Sequence, residues 1–294
     1  MNVIDEIRKE LILQLSAVLK RNVGGFKAKS VSGGSINSVY QLMLDNNEHL
    51  CCKVSTVHNY PDMFDAESAG LSLLASRGKI RVPGIIICTK INNYQVLVME
   101  WIDQGPRTKA FWKNFGKQLS LLHLQNRTSF GLETDNYMGA LPQSNKPHND
   151  WSVFFYERRI QPQLKLAVER GLITTKQAGL FDRLPILLPD IFPDAQPCLL
   201  HGDLWSGNFL CDHTEHPVLI DPAVYYGHPA IDLAMTTLFG GFEQGFYEAY
   251  NFYNPFPANR LDQWDCCNLY PLLIHLNLFG RSYLGDILSI ISRY

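Results

Sequence analysis

"LLHGDLWSGNFL", residues 199–210, is a short polar loop between two apolar runs. It contains a histidine, an aspartate and an asparagine, at His201, Asp203 and Asn208. Aspartate and asparagine are common turn formers at strand ends, so the loop alone fits a simple connection between two buried strands. It fits equally well a loop that carries polar groups into a site, and only the rest of the chain separates the two interpretations.

A second aspartate, further along the chain, favours the interpretation that the loop at 199–210 belongs to a site. "VLIDP", residues 218–222, places Asp221 at the end of another apolar run. The order and spacing of Asp203, Asn208 and Asp221 match the catalytic loop and the metal-binding aspartate of protein kinases. In Mg²⁺-dependent phosphoryl transfer one carboxylate takes the proton of the acceptor hydroxyl, while an amide oxygen and a second carboxylate hold Mg²⁺. We therefore expect Asp203 to be the catalytic base and Asn208 and Asp221 to be metal ligands.

The first hundred residues offer an independent test, because a kinase needs a strand lysine held by a helical glutamate. "CCKVS", residues 51–55, puts Lys53 between apolar neighbours in a β-rich run, and Glu67 follows in a helical pattern. A lysine inside a sheet is costly to bury unless it is paired. The alternative is a lysine that reaches solvent from an edge strand.

A glycine pair precedes this lysine. "SVSGGSINSVY", residues 30–40, places Gly33 and Gly34 between two β-rich runs. The backbone N–H groups of such a turn are able to contact phosphates. The pattern is neither a P-loop nor a complete Gly-x-Gly-x-x-Gly, and a plain hairpin turn explains it equally well.

Composition narrows the classes of protein. The chain has 294 residues, a formal net charge of -2, and 46% hydrophobic and 18% charged residues. These values are typical of a globular protein and offer no basic field for nucleic acid or for a membrane surface. The seven cysteines lack any C-x-x-C spacing, and the N-terminal helical pattern carries acidic residues where a signal peptide needs apolar ones. We expect a cytoplasmic protein with reduced thiols and with no membrane or nucleic-acid partner, and the sequence leaves the oligomeric state open.

The chain changes character near residue 102. Strand patterns and one helix, with turns at "DNNE" and Asn92-Asn93, occupy the first part. Helical periodicity dominates afterwards, at 109–125, 151–170, 230–250 and 262–290. We therefore predict an α+β fold with two lobes, 1–102 and 103–294, and a ligand site between them.

Several further side chains have two interpretations each. Asp232 opens a helical pattern, where it either holds the loop at 201–203 or simply complements the helix dipole. His201 is expected to pack and orient the loop, since Asp203 already supplies a base. Trp205 is either a wall of the acceptor site or part of the core, and His123 and His275 are expected to be core or surface residues.

Blocks along most of the chain carry a family resemblance. They are "SGGSIN" at 32–37, "ESAGLSLLASRGKIRVP" at 67–83, "GALPQ" at 139–143, "DWSVFFYERRIQPQL" at 150–164, "HGDLWSGN" at 201–208, "LIDPAVYYGH" at 219–228 and "DLAMTTLFGGF" at 232–242. The sequence resembles the fructosamine kinase (ketosamine-3-kinase) family, a small-molecule branch of the protein-kinase-like fold related to aminoglycoside phosphotransferases. The histidine-glycine-aspartate block is shared by many kinases, and the 150–164 block makes the resemblance narrower.

The resemblance implies a small antiparallel-sheet N-lobe, a larger helical C-lobe, and ATP and Mg²⁺ between them. It places the phosphates near Gly33, Gly34, Ser35 and Asn37, beside a Lys53–Glu67 pair, and the adenine against the backbone of Glu100, Trp101 and Ile102. The implied acceptor is the C3 hydroxyl of a ketoamine of the fructosamine or ribulosamine type, on a protein lysine or on a free amine. The alternatives are a kinase for another hydroxyl, such as that of an aminoglycoside or choline-like amine, and a nucleotide-binding pseudokinase.

Overall fold

An N-terminal helix packs on an antiparallel sheet. The computed structural model describes residues 3–31 and 37–294 of the chain. Helix α1 covers Val3–Leu19, and its buried residues recur at helical spacing: Ile4, Ile7, Leu11 and Leu15. Burial of each of these side chains contributes about 1.5–3 kcal/mol, which attaches the helix to the sheet. The predicted N-terminal helix is confirmed.

Five strands form this sheet in the order β1-β2-β3-β5-β4, and every neighbouring pair is antiparallel. They are β1 (Phe26–Ser30), β2 (Ser38–Leu44), β3 (His49–Thr56), β4 (Ile85–Ile91) and β5 (Tyr94–Glu100). The predicted turns at "DNNE" and Asn92-Asn93 connect β2 to β3 and β4 to β5, and Asn92 adopts a left-handed φ of 54°.

Alternation along the strands assigns side chains to the two faces of the sheet. In β3, Leu50, Cys52 and Val54 join the cluster that contains α1. The intervening residues of β3 therefore face the other way, toward helix α2 (Met63–Arg77), which packs there on Leu97 and Met99 of β5. Helix α2 ends at Gly78, whose φ of 59° favours glycine. Lys53 and Glu67 consequently share one side of the sheet.

The remainder of the chain is mainly helical. Helix α3 (Lys109–His123) begins at Thr108, whose hydroxyl accepts a hydrogen bond from the N–H of Phe111 at 3.3 Å. The helices that follow are α4 (Trp151–Phe155), a π-helical segment (Tyr156–Ile160), α5 (Gln161–Glu169), α6 (Thr175–Ala178), a 3₁₀ segment (Gly179–Arg183), α7 (Leu184–Ile191), α8 (Ala230–Leu238), α9 (Gln244–Tyr253), α10 (Arg260–Phe279), a 3₁₀ segment (Arg281–Tyr283) and α11 (Leu284–Ile291).

Two of the predicted helices are interrupted. The 230–250 pattern is split between α8 and α9 at Gly240 and Gly241, which both have positive φ. The 262–290 pattern breaks at Gly280, with φ of 94°, between α10 and α11. Apolar periodicity continues across these breaks, and only the glycines signal them.

Three short two-stranded pairs complete the helical part, each antiparallel. They are β6 (Asn136–Met138) with β7 (Leu141–Gln143), β8 (Cys198–Leu200) with β11 (Tyr225–Gly227), and β9 (Phe209–Cys211) with β10 (Pro217–Leu219). The loop at 201–208 runs from β8 to β9, and Asp221 follows β10. The strands predicted at both ends of the opening sequence stretch are therefore present.

All seven cysteines are free thiols. Across 3–31 and 37–294, none of the helices is long and apolar enough to cross a membrane.

Candidate active site

The loop between β8 and β9 holds Asp203 through its neighbour Asn208. The amide nitrogen of Asn208 donates to the backbone oxygen of Asp203 and to its Oδ2, both at 2.9 Å. These two bonds fix the carboxylate relative to its own backbone. They also direct the amide nitrogen of Asn208 toward Asp203 and leave the amide oxygen for another partner.

Asp232 holds the backbone of the same loop by hydrogen bonds. Its carboxylate is fully buried and accepts the N–H groups of His201 and Gly202, both at 2.8 Å. His123 lies 3.1 Å from the same carboxylate. Burial alone would raise the pKa of Asp232, but the hydrogen bonds from His123 and the backbone outweigh it and lower that pKa. Asp232 therefore steadies the loop, which a role confined to the helix dipole does not explain.

His201 orients the loop and has no ring nitrogen left for proton transfer. Its Nε2 lies 2.8 Å from the carbonyl of Ile220, and its Nδ1 accepts the N–H of Asp203 at 3.2 Å. Burial lowers the pKa of His201, so the ring is neutral at pH 7 with Nε2 protonated. The expectation that His201 is a packed, orienting residue agrees with this geometry.

Lys53 connects the sheet to the C-terminal part. Its ammonium group lies 2.6 Å from Glu67 Oε1 and 2.6 Å from Asp221 Oδ1. Burial alone would lower the pKa of Lys53, but the two carboxylates outweigh it and raise that pKa. Strand β3 lies between β2 and β5, so the alternative of a lysine on an edge strand is wrong.

Close backbone packing brings the segment that carries Asp203 next to the segment that carries Asp221. Gly202 has a φ of 85°, and a Cβ there would lie 2.1 Å from the carbonyl oxygen of Ala223, so only glycine fits. Asp221 also adopts a left-handed φ of 55°, which is uncommon for a residue other than glycine. Both features lie where the loop at 201–208 meets the segment after β10.

One pocket collects most of the predicted site residues that the structure describes. Its lining includes six of them: Asn37, Lys53, Glu67, Asp203, Asn208 and Asp221. The predicted adenine contacts Glu100, Trp101 and Ile102 lie outside this lining, at the end of β5 and in the linker from β5 to α3. Gly33, Gly34 and Ser35 lie outside the described residues, so their contact with phosphate stays a prediction.

The linker is tied to both halves of the molecule. The Glu100 N–H donates to the carbonyl of Gly84 at 2.8 Å, and the Glu100 side chain pairs with Arg81. Arg81 also pairs with the buried Asp212 at the end of β9. The backbone that is predicted to hold adenine is therefore fixed between the sheet and the helical part.

Further lining residues of the pocket lie on and just after β6, in the loop at 201–208 and on α10: Asn136, Tyr137, Met138, Gly139, Trp205, His275 and Phe279. The sequence pointed to Trp205 and His275, and His275, which was expected in the core or at the surface, lies in the pocket wall. The sequence did not mark the residues on and after β6 as site residues. Trp205 is partly exposed and packs edge-on against Phe239, so it is a pocket wall and not a core residue. The strands of β6 and β7 have three residues each, which is too short for a periodic signal.

The charged side chains of the pocket suit a bound metal cation that phosphate groups also contact. Among the described lining residues, Lys53 is accompanied by three carboxylates, those of Glu67, Asp203 and Asp221. Burial, with the Asp221 carboxylate nearby, raises the pKa of Asp203 to about 7. Within 3–31 and 37–294 no cluster of three His, Cys, Asp or Glu side chains could hold a metal by itself. Asn208 and Asp221 instead offer two hard oxygen ligands, which fits Mg²⁺ that keeps phosphate oxygens as its remaining ligands.

The sheet with its lysine and glutamate, the loop with Asp203 and Asn208, and the second aspartate define a protein-kinase-like phosphotransferase. The family model for fructosamine kinase matches residues 8–294. A protein named "Probable ketoamine kinase" from Synechocystis is 40% identical over 87% of this chain and 85% of its own length. The chloroplastic protein-ribulosamine 3-kinase of Arabidopsis thaliana is 34% identical over 99% of this chain and 87% of its own length.

Structural similarity agrees with the sequence relatives. A crystal structure described as a fructosamine-3-kinase from Haemophilus somnus superposes with a TM-score of 0.89, at 25% identity and over 99% of both chains. The chain belongs to the fructosamine kinase family. The predicted bilobal α+β fold is confirmed, and the chain is a kinase that uses ATP.

Proposed function

We propose that this kinase transfers the γ-phosphoryl group of ATP to the C3 hydroxyl of ketoamines of the fructosamine or ribulosamine type. The observation that carries the proposal is the convergence of Lys53, Glu67, Asp203, Asn208 and Asp221 on one pocket. The relatives named for ketoamine and ribulosamine substrates favour this acceptor over an aminoglycoside or a choline-like amine.

Asp203 is the catalytic base in this proposal. Asn208 holds its carboxylate by a bond of 2.9 Å, and the raised pKa of about 7 gives it appreciable basicity near neutral pH. It accepts the proton of the C3 hydroxyl as the oxygen attacks phosphorus. His201 cannot share this role, since both of its nitrogens are bonded within the loop.

Lys53 contacts the ATP phosphates, and Glu67 keeps its ammonium group in place. Asn208 and Asp221 would hold Mg²⁺, which when bound neutralises charge on the phosphates. Asn37 lines the same pocket, and its Oδ1 is buried without a hydrogen-bond partner in the described part of the chain. An unpaired acceptor of this kind suits a hydroxyl group of the nucleotide.

The adenine lies against the backbone of Glu100, Trp101 and Ile102 in this arrangement, and the lobes divide at 102/103. Both statements stay predictions, as does a location in the reducing cytoplasm, which the seven free thiols favour.

The product explains why such a kinase is useful. Phosphate is a far better leaving group than hydroxide, and at C3 it lies beside the C2 carbonyl. Loss of a proton from C1 gives the enol, which expels phosphate from C3 and leaves an imine at C1. Water then hydrolyses this imine and releases the amine from its sugar. Phosphorylation thus begins the removal of a glycation adduct.

The test is ADP release with ribulose- and fructose-derived ketoamines side by side, with an aminoglycoside and choline as competing acceptors. We expect turnover with the ketoamines only. Asp203→Asn should lower turnover by roughly 10³-fold or more and leave ATP affinity nearly unchanged, because it removes the base and keeps the side-chain shape. Turnover of the aminoglycoside alone would overturn the substrate class, and near-normal turnover of Asp203→Asn would remove Asp203 from its role.

A further inference from the structure

The β6–β7 hairpin is a pocket wall that the proposed mechanism does not use. Its residues Tyr137, Met138 and Gly139 line the same pocket as Asp203. The hairpin belongs to the C-terminal part, whereas the nucleotide contacts proposed above lie on the sheet and on the linker after β5. The hairpin is therefore available to the other substrate, the phosphoryl acceptor.

The polar side chain of Asn136 at the start of this wall makes three hydrogen bonds within the protein. Its Nδ2 donates to the carbonyl of Val224 at 2.9 Å. Its Oδ1 accepts from Gln143 at 2.8 Å and from Asn145 at 2.9 Å. An amide with so many internal partners has little capacity left for a ligand, so its role is to place the hairpin.

Arg159 is the far end of this network. Its guanidinium group is fully buried and donates to Asn145 Oδ1 at 2.7 Å and to the carbonyl of Ser144 at 2.6 Å. Its planar face lies 4.1 Å from the ring centroid of Tyr225 and 4.7 Å from that of Phe154. The group is thereby held on both its edge and its face.

Three of the sequence blocks noted above meet at this point. Arg159 comes from the 150–164 block, Tyr225 from the 219–228 block, and Gln143 ends the 139–143 block. Tyr270 of α10 closes the arrangement by donating its hydroxyl to Gln143 Oε1 at 2.7 Å. The hairpin also reaches the sheet side, where the Tyr137 hydroxyl donates to the carbonyl of Pro61 at 2.8 Å.

We propose that the β6–β7 hairpin is the acceptor-binding wall and that Arg159, acting through Asn145 and Asn136, is its positioning residue. The proposal deepens the function proposed above and rests on it. Arg159 contacts no lining residue of the pocket with its own hydrogen bonds, so these bonds act on the acceptor through the hairpin. Loss of the network should therefore weaken use of the ketoamine and leave use of ATP unchanged.

The sharpest variant is Asn145→Asp. It keeps an oxygen for Arg159 and gives that arginine a carboxylate partner, so the fold should be retained. It removes the N–H donor to Asn136 Oδ1 and to the carbonyl of Thr134, the latter bond being 3.1 Å long. We expect kcat/KM for the ketoamine to fall by about tenfold or more, with KM for ATP within about twofold of the wild type.

Arg159→Met should give the same kinetic pattern, and Arg159→Lys should recover part of the loss because it restores one donor without the planar fork. Arg158→Met is the matched control, since the Arg158 side chain pairs with Glu157 and, among the described residues, makes no hydrogen bond to the hairpin. That variant should keep the kinetics of the wild type for both substrates.

The outcomes separate this proposal from the proposed function. If folded Asn145→Asp keeps the wild-type kcat/KM for the ketoamine, or if KM for ATP rises in parallel with KM for the ketoamine, the wall assignment is wrong. If the wild-type protein turns over no ketoamine, the proposed function is wrong instead. The same comparison of acceptor and ATP constants is then made with whichever hydroxyl acceptor of the panel releases ADP, and its result still decides the assignment.

Discussion

Lys53 and Arg159 are both buried cations, yet their surroundings differ in kind. Lys53 lies 2.6 Å from each of two carboxylate oxygens, those of Glu67 and Asp221. Arg159 is bonded to backbone and amide oxygens and lies over aromatic rings, and no carboxylate of the described residues pairs with it. Both solutions offset the cost of burying a charge, the first by charge and the second by hydrogen bonds and ring faces.

The partners indicate what each cation is for. The Asp221 side chain is 44% exposed and lines the pocket, so a bound phosphate can share the ammonium group of Lys53. The acceptors of Arg159, the Asn145 amide oxygen and the Ser144 carbonyl, are uncharged and lie outside the lining of the pocket. The partners of Lys53 therefore suit a cation that binds a ligand. The neutral partners of Arg159 suit a cation that stabilises the fold.

Lys53→Met tests the proposed binding role of the first cation, and its effect on activity should be the largest of those predicted here. Removal of the ammonium group takes away the proposed phosphate contact, and kcat should fall by about 10²–10³-fold. The measurement is steady-state ADP release with saturating ketoamine. Lys29→Met, on the exposed face of β1 in the same sheet, is the matched control and should keep wild-type turnover. Comparable losses in both variants would show that the effect is not specific to the site.

Arg159→Met tests the structural role of the second cation, and its main effect should be on the stability of the protein. The buried amide oxygen of Asn145 and the carbonyl of Ser144 lose their donor and the ring faces lose their cation, so the free energy of unfolding should fall by about 3 kcal/mol. Urea unfolding followed by tryptophan fluorescence measures this change. Arg158→Met should lie within about 0.5 kcal/mol of the wild type, because its ion pair is near the surface. Equal stability of both variants would mean that the neutral partners of Arg159 contribute nothing net.

The sequence predicted the side of the molecule that contains Lys53 better than the side that contains Arg159. Strand alternation, the turns at "DNNE" and Asn92-Asn93, and the apolar neighbours of Lys53 are local signals, and the sheet that they predict is present. Asp203, Asn208 and Asp221 were recognisable because they fall at fixed spacing in the chain. The pocket brings all of them together.

Arg159 could not be distinguished in this way from its neighbour Arg158. A π-helical segment changes the angular period there, so helical spacing does not show which arginine faces inward. Its burial depends on Asn145 and Tyr225, which are distant in sequence. The link between His123 and Asp232 is equally invisible, since it joins side chains 109 residues apart.

His228 is a third basic side chain for this comparison, and it differs from Lys53 and Arg159 because it stays neutral. It packs against the rings of Trp151 and Phe192, with centroids 5.9 Å and 5.0 Å away, and its Nδ1 accepts the N–H of Ala230 at 3.2 Å. Burial lowers the pKa of His228 to about 3. The unfolded chain, with a histidine pKa of about 6.5, takes up a proton that the folded chain refuses, so this residue makes stability decrease as pH falls from about 6.5 toward 3.

The smallest predicted effect follows from that sign. Between pH 7.5 and pH 5.5 His228 should lower the free energy of unfolding by about 1 kcal/mol, and His228→Asn should remove this part of the pH dependence. Asparagine keeps an oxygen for the N–H of Ala230 and cannot be protonated in this range. Urea unfolding of both proteins at the two pH values gives the difference, in which groups common to both cancel. An unchanged difference would mean that His228 accepts a proton in the folded protein, and that rings and a backbone N–H do not suffice to keep a basic side chain neutral here.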